Sequence, residues 1–97
     1  MHYLLFYEAG SDYEDRRAPF RAAHLAHARQ AVERGELVLG GGVGTPAEGA
    51  VLLFQGASSW AAEAFAASDP YVVNGVITSW RVRPWATVVG RDAATPL

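Results

Sequence analysis

The segments that read as strands are apolar at consecutive positions, and this constrains the chain more than any other feature. In His2–Glu8 (HYLLFYE) Tyr3, Leu5 and Tyr7 alternate with Leu4 and Phe6. In Ala50–Gln55 Val51 and Leu53 alternate with Leu52 and Phe54. Successive strand residues point to opposite faces, so a sheet built from these segments is apolar on both. The rest of the 97 residues supplies two helices, which cover one face. The other needs a cover, and the cheapest is the same face of a second copy across a twofold axis. A homodimer is therefore expected.

Turn and cap signals order the elements. His2–Glu8 is closed by Ala9-Gly10-Ser11 and reads as the first strand. Asp12 to Arg34 is rich in Ala, Arg and Glu, has Pro19 near its start and stops at Gly35, which predicts a helix. Glu36–Gly40 and Ala50–Gln55 read as a hairpin around a flexible Gly40–Pro46 loop. Ser58 or Ser59 caps a second helix, which runs to Ser68 and ends at Asp69-Pro70. Val76–Pro84 is the last long strand, Thr87–Gly90 adds a short one, and 91–97 is read as a loose end. The order βαββαβ is the ferredoxin-like α+β pattern, a four-stranded antiparallel sheet with both helices on one face. No repeat or linker divides the chain, so residues 1–90 are expected to form one domain with 91–97 as its tail.

The charged residues narrow the chemistry. All 8 basic residues are arginine, and there is no cysteine. This excludes a lysine Schiff base, the lysine of a phosphate-binding P-loop, thiol nucleophiles, disulfides and thiolate metal sites. The net charge is -2, which offers no general attraction to nucleic acid or anionic lipid. The first residues lack a basic leader pattern, and no apolar run approaches the roughly 20 residues of a membrane span. A cytoplasmic location is the expected default.

On a helical wheel Phe20, Leu25, Ala28, Ala31 and Val32 share one arc that should face the sheet, with Arg29, Gln30, Glu33 and Arg34 opposite. Arg17, Arg21 and His24 fall inside the apolar arc and His27 lies at its edge. Buried charge is costly unless paired or wet, so this half of the helix either lines a polar pocket or lets its arginines snorkel past the sheet edge. Trp60, Ala61, Ala64, Phe65 and Ser68 form the inner arc of the second helix. Asp69 follows at the helix end, where the dipole disfavours an anion. Either a cation such as protonated His24 or Arg21 compensates it, or its carboxylate bonds its own turn.

Other signals carry less. His24 and His27 are spaced like half a metal site, which Asp69 would complete, but the pair alone does not specify one, and no metal or cofactor is expected. The glycine run lacks dinucleotide-binding spacing, although Gly41 can border a cleft. Gly56–Trp60 lacks the last glycine of a nucleophile elbow. Trp80, Arg81, Arg83 and Trp85 alternate as in a single-strand nucleic-acid platform, but the net charge favours interface or core roles.

The ordered set Arg21-Ala22-Ala23-His24-Leu25, Gly40-Gly41, Asp69-Pro70-Tyr71 and Val82-Arg83-Pro84-Trp85, with Tyr3-Leu4 and Glu8 before it, resembles the YCII-related domain family. The likeness runs from Met1 to about Gly90 and implies a dimeric α+β barrel. It implies a His–Asp pair in a cleft, here His24 and Asp69, and one such relative eliminates chloride from a chlorinated hydroxyhydroquinone. Gly42-Val43 departs from the proline that many members carry after the glycine pair. The chain is thus expected to use the pair for general acid–base chemistry on a small, aromatic or anionic molecule, by elimination, isomerisation or hydrolysis. Arg21 and Arg17 would hold an anionic oxygen, with Tyr71, Tyr7 and Gly41 also at the ligand. The alternatives are a non-catalytic binding or accessory dimer and a cofactor-free oxygenase.

Overall fold

The computed structural model describes residues 1–97. Strands β1 (His2–Glu8), β2 (Leu37–Val43), β3 (Gly49–Gln55) and β4 (Ser79–Trp85) form one sheet in the order β2-β3-β1-β4. Every neighbouring pair is antiparallel, with β1 and β3 central. Helices α1 (Tyr13–Arg17), α2 (Arg21–Glu33), α3 (Trp60–Ser68) and α4 (Pro70–Val73) complete a ferredoxin-like α+β fold. Leu5, Tyr7, Leu52 and Phe54 on one sheet face share the core with Ala31 of α2 and Phe65 of α3. The shortest dimension, 19 Å, holds one helix layer on one sheet layer. No helix is long and apolar enough to cross a membrane.

The first strand has the expected bounds, and α2 ends at Gly35 with φ of +77°, a conformation that glycine adopts without strain. Several expectations are corrected. The helix read across Asp12 to Arg34 is two helices joined by a 3-10 turn, Ala18–Phe20, that contains Pro19. Proline lacks an N–H and clashes with the carbonyl four residues back, so it breaks the run. Gly40, Gly41 and Gly42 are not loop: they pair with Leu52, Val51 and Ala50, and β2 continues to Val43. Backbone pairing to β3 overrides the low strand propensity of glycine on this edge strand.

Trp60 is 68% exposed rather than inward. It opens α3, and the buried stripe is Ala62, Phe65 and Ala66, one residue out of phase with the expected arc. Ser59 precedes the helix without a capping bond, and Ser58 Oγ accepts from the Trp60 N–H instead. Val76 and Ile77 are buried ahead of β4 rather than within it. Thr87–Gly90 is not a strand, and the chain end is tied down. Thr87 Oγ1 bonds His2 Nδ1 and accepts from the Ala94 N–H, while the Thr95 and Leu97 N–H groups donate to the Thr87 and Val88 carbonyls.

The face of the sheet away from the helices is open. Leu4, Phe6, Val51 and Leu53 lie there half-buried, beside Leu39, which is 71% exposed, and the exposed Val43 and Trp85. Arg81 crosses this face with its guanidinium 4.8 Å from the Phe6 ring centre.

Candidate active site

The break at Pro19 sets the phase of α2. Counted from Arg21, residues at helical spacing form one stripe: Arg21, His24, Leu25, Ala28, Arg29 and Val32. All six line a cleft of about 400 Å³, whose other wall is β2 from Leu37 to Gly42. Arg29 is exposed, as expected of the solvated side, and also lines the cleft, while of the expected sheet-facing set only Ala31 is buried. Tyr13 and Arg17 reach the cleft from α1, which is anchored where Glu14 Oε2 accepts the Ala47 N–H at 2.6 Å.

At one end of the cleft His24 meets Asp69. His24 Nδ1 lies 2.8 Å from Asp69 Oδ1 and 3.0 Å from Oδ2. Asp69 is 0% exposed and also accepts the Tyr7 hydroxyl at 2.7 Å and the Tyr71 backbone N–H at 3.0 Å. Both sequence-level alternatives for Asp69 hold together: it meets a histidine and it caps its own turn. Asp-Pro ends α3 and starts α4, with Asp69 as N-cap and Pro70 in the first turn, where N–H donors and the dipole favour a carboxylate.

A carboxylate with this donor set only accepts, so His24 donates from Nδ1, and in the neutral ring the Nε2 lone pair is left over. Nε2 bonds no protein atom, and it is not sealed, since Tyr71 Oη is the one buried side-chain atom without a partner. The Tyr71 ring stacks on the imidazole with centres 3.8 Å apart and planes 5° from parallel. Tyr13 meets Tyr71 edge-on at 6.0 Å, and the Arg17 guanidinium sits 5.0 Å over the Tyr13 ring. His24 is thus fixed on three sides, by a carboxylate, an aromatic face and its own helix.

The other candidates separate clearly. Arg17, Arg21, Tyr71 and Gly41 line the cleft. Tyr7 does not: it is buried behind Asp69, because odd residues of β1 face the core and this position meets the carboxylate from the sheet side. Asp69 is sealed as well, so it acts through His24. His27 faces α3, where its Nε2 is 3.0 Å from the Phe65 carbonyl oxygen and its ring stacks on Phe65 at 4.4 Å. Tyr13 escaped the sequence reading, since an aromatic residue beside a turn carries no signal for a cleft.

Burial first, and then the Asp69 charge, push the Tyr7 phenol far above its ordinary value. Burial and Tyr13 raise Tyr71, with Arg21 and Arg17 opposing. A group that holds its proton more tightly when folded gives stability that is complete below about pH 10 and lost as pH rises further. In an alkaline titration of tyrosinate absorbance, Tyr7 should ionise only as the fold is lost, and Tyr71 above the ordinary phenol value. A Tyr7 phenol that ionises near its ordinary value of about pH 10 in folded protein would contradict this.

A model of the YCII-related domain matches residues 1–86. The chain belongs to the YCII-related family. Among solved structures, this YCII-related chain is similar to 5-chloro-2-hydroxyhydroquinone dehydrochlorinase (TftG) from Burkholderia phenoliruptrix, solved in complex with 2,5-dihydroxybenzoquinone. The TM-score is 0.74 at 21% identity, over 90% of this chain and 95% of that one, a likeness of fold. No curated protein matches the chain.

Proposed function

We propose that this YCII-related chain is a homodimeric enzyme in which His24 moves a proton on a small organic molecule held in the cleft. The observation that supports this most is the division of the imidazole: Nδ1 is committed to sealed Asp69, while Nε2 is unpartnered at the cleft. Asp69 is then a positioning residue that fixes the tautomer, and His24 is the catalytic base or acid. Arg17 and Arg21 supply permanent positive charge for a carboxylate or phenolate oxygen. The likeness to TftG, named a dehydrochlorinase, favours elimination over isomerisation and hydrolysis. In that step Nε2 takes a proton from carbon, the freed electron pair forms the double bond, and the leaving group departs with its own pair.

A panel of small aromatic and carboxylic compounds bearing leaving groups or exchangeable C–H bonds tests the reading. At least one member is expected to be turned over or to exchange its proton for deuterium. Compounds that bind the cleft and leave unchanged throughout the panel would make it a binding module instead.

The open sheet face supports the dimer. Leu39, Val43 and Trp85 with Leu4 and Phe6 make an apolar surface that two copies would bury across a twofold axis. Light scattering at micromolar protein should give twice the chain mass, and a monomer mass would contradict the assembly.

A further inference from the structure

Four of the arginines, Arg16, Arg34, Arg81 and Arg91, have a carboxylate within 4.0 Å. Of the other four, Arg17, Arg21 and Arg29 all line the cleft, and no Asp or Glu lines it with them. A chain of net charge -2 has thus gathered three unpaired guanidiniums into one concave site. A negative ligand that fills the cleft is attracted by all three.

The three are not at one point. Arg17 and Arg21 flank the His24 end, where the Tyr71 hydroxyl is buried with no partner of its own. Arg29 stands on the same stripe eight residues further along α2, about 12 Å at ~1.5 Å per residue. Between them the walls are apolar, from Leu25, Ala28, Leu37 and Leu52. Gly40 and Gly42, opposite α2, carry no side chain to narrow the gap.

We infer that the cleft takes a flat organic dianion, with one carboxylate or equivalent oxyanion at Arg17 and Arg21 and a second at Arg29. The inference rests on the cleft being the ligand site proposed above. The apolar body of the ligand lies along the Leu25–Ala28 stretch, and its reacting atom lies at the first end, beside His24 Nε2. Arg29 is then a specificity residue that reads the far end of the molecule.

Three shape-matched probes test it by calorimetry on the intact protein: terephthalate, its monomethyl ester and its dimethyl ester, which carry two, one and no charges. Terephthalate should bind about tenfold more tightly than the monoester, the scale of one charge-assisted hydrogen bond. Arg29→Gln should remove that advantage, whereas Arg91→Gln, which deletes the same charge from an exposed tail position, should keep it. Equal affinity for the two anions would overturn the inference, as would an advantage that survives Arg29→Gln. His24 ring signals in NMR separate this from failure of the functional reading. A monoester that binds and shifts them while the second carboxylate adds nothing sinks the dianion alone. No binding and no shift by any probe sinks both.

Discussion

Asp69→Ala should cost about 3–5 kcal/mol of folding stability, read as a lowered urea midpoint, because it removes the shared acceptor of a buried network. Three donors depend on that carboxylate: the His24 ring N–H, the Tyr7 hydroxyl and the Tyr71 backbone N–H. Tyr7 and Tyr71 are buried core residues, so neither can turn to water for a replacement bond. The loss also strips the N-cap from α4, which helps to place the Tyr71 ring on His24. Small domains have only about 5–15 kcal/mol to lose, so the variant should be marginal at room temperature. Tyr7→Phe is the graded comparison. It removes one donor, leaves Asp69 with its other two, and should cost about 1–2 kcal/mol. Equal, small losses in the two variants would mean that Asp69 is not the hub of the network.

His24→Gln should lower turnover of any substrate by about 10²–10⁴-fold while leaving the fold intact. The imidazole side chain is 14% exposed and lies at the cleft wall, not in the apolar core, so its removal does not open a closed cavity. Glutamine can still donate to Asp69, which keeps that acceptor partnered, but it has no group that accepts and returns a proton near neutral pH. The loss should fall on kcat more than on KM, since Arg17 and Arg21 remain to hold the ligand. A KM effect with kcat unchanged would make His24 a binding residue.

The sequence made the fold legible where pattern and chain length agreed. Apolar residues on both faces of His2–Glu8 predicted an exposed apolar sheet face, which is present at Leu39, Val43 and Trp85. The anomaly of Arg21 and His24 on an inward arc pointed to the cleft, and the Asp-Pro dipeptide to a turn. What failed did so for physical reasons. Tertiary pairing decides whether Gly40–Gly42 is strand or loop, and propensity speaks against the outcome. The break at Pro19 separates Arg17 from the helix that carries Arg21 and His24, which a single helix over Asp12–Arg34 does not foresee. The Tyr7 contact to Asp69 joins residues 62 positions apart, and nothing in either neighbourhood announces it.

The proposed proton transfer depends on which nitrogen of His24 carries the proton, and long-range ¹H–¹⁵N correlation of the imidazole reads this directly. With the ring neutral, the spectrum should show His24 as the Nδ1–H tautomer, with Nε2 the nitrogen that shifts when a cleft ligand is added. A neutral ring protonated at Nε2, or an Nε2 signal indifferent to a ligand that binds the cleft, would contradict it.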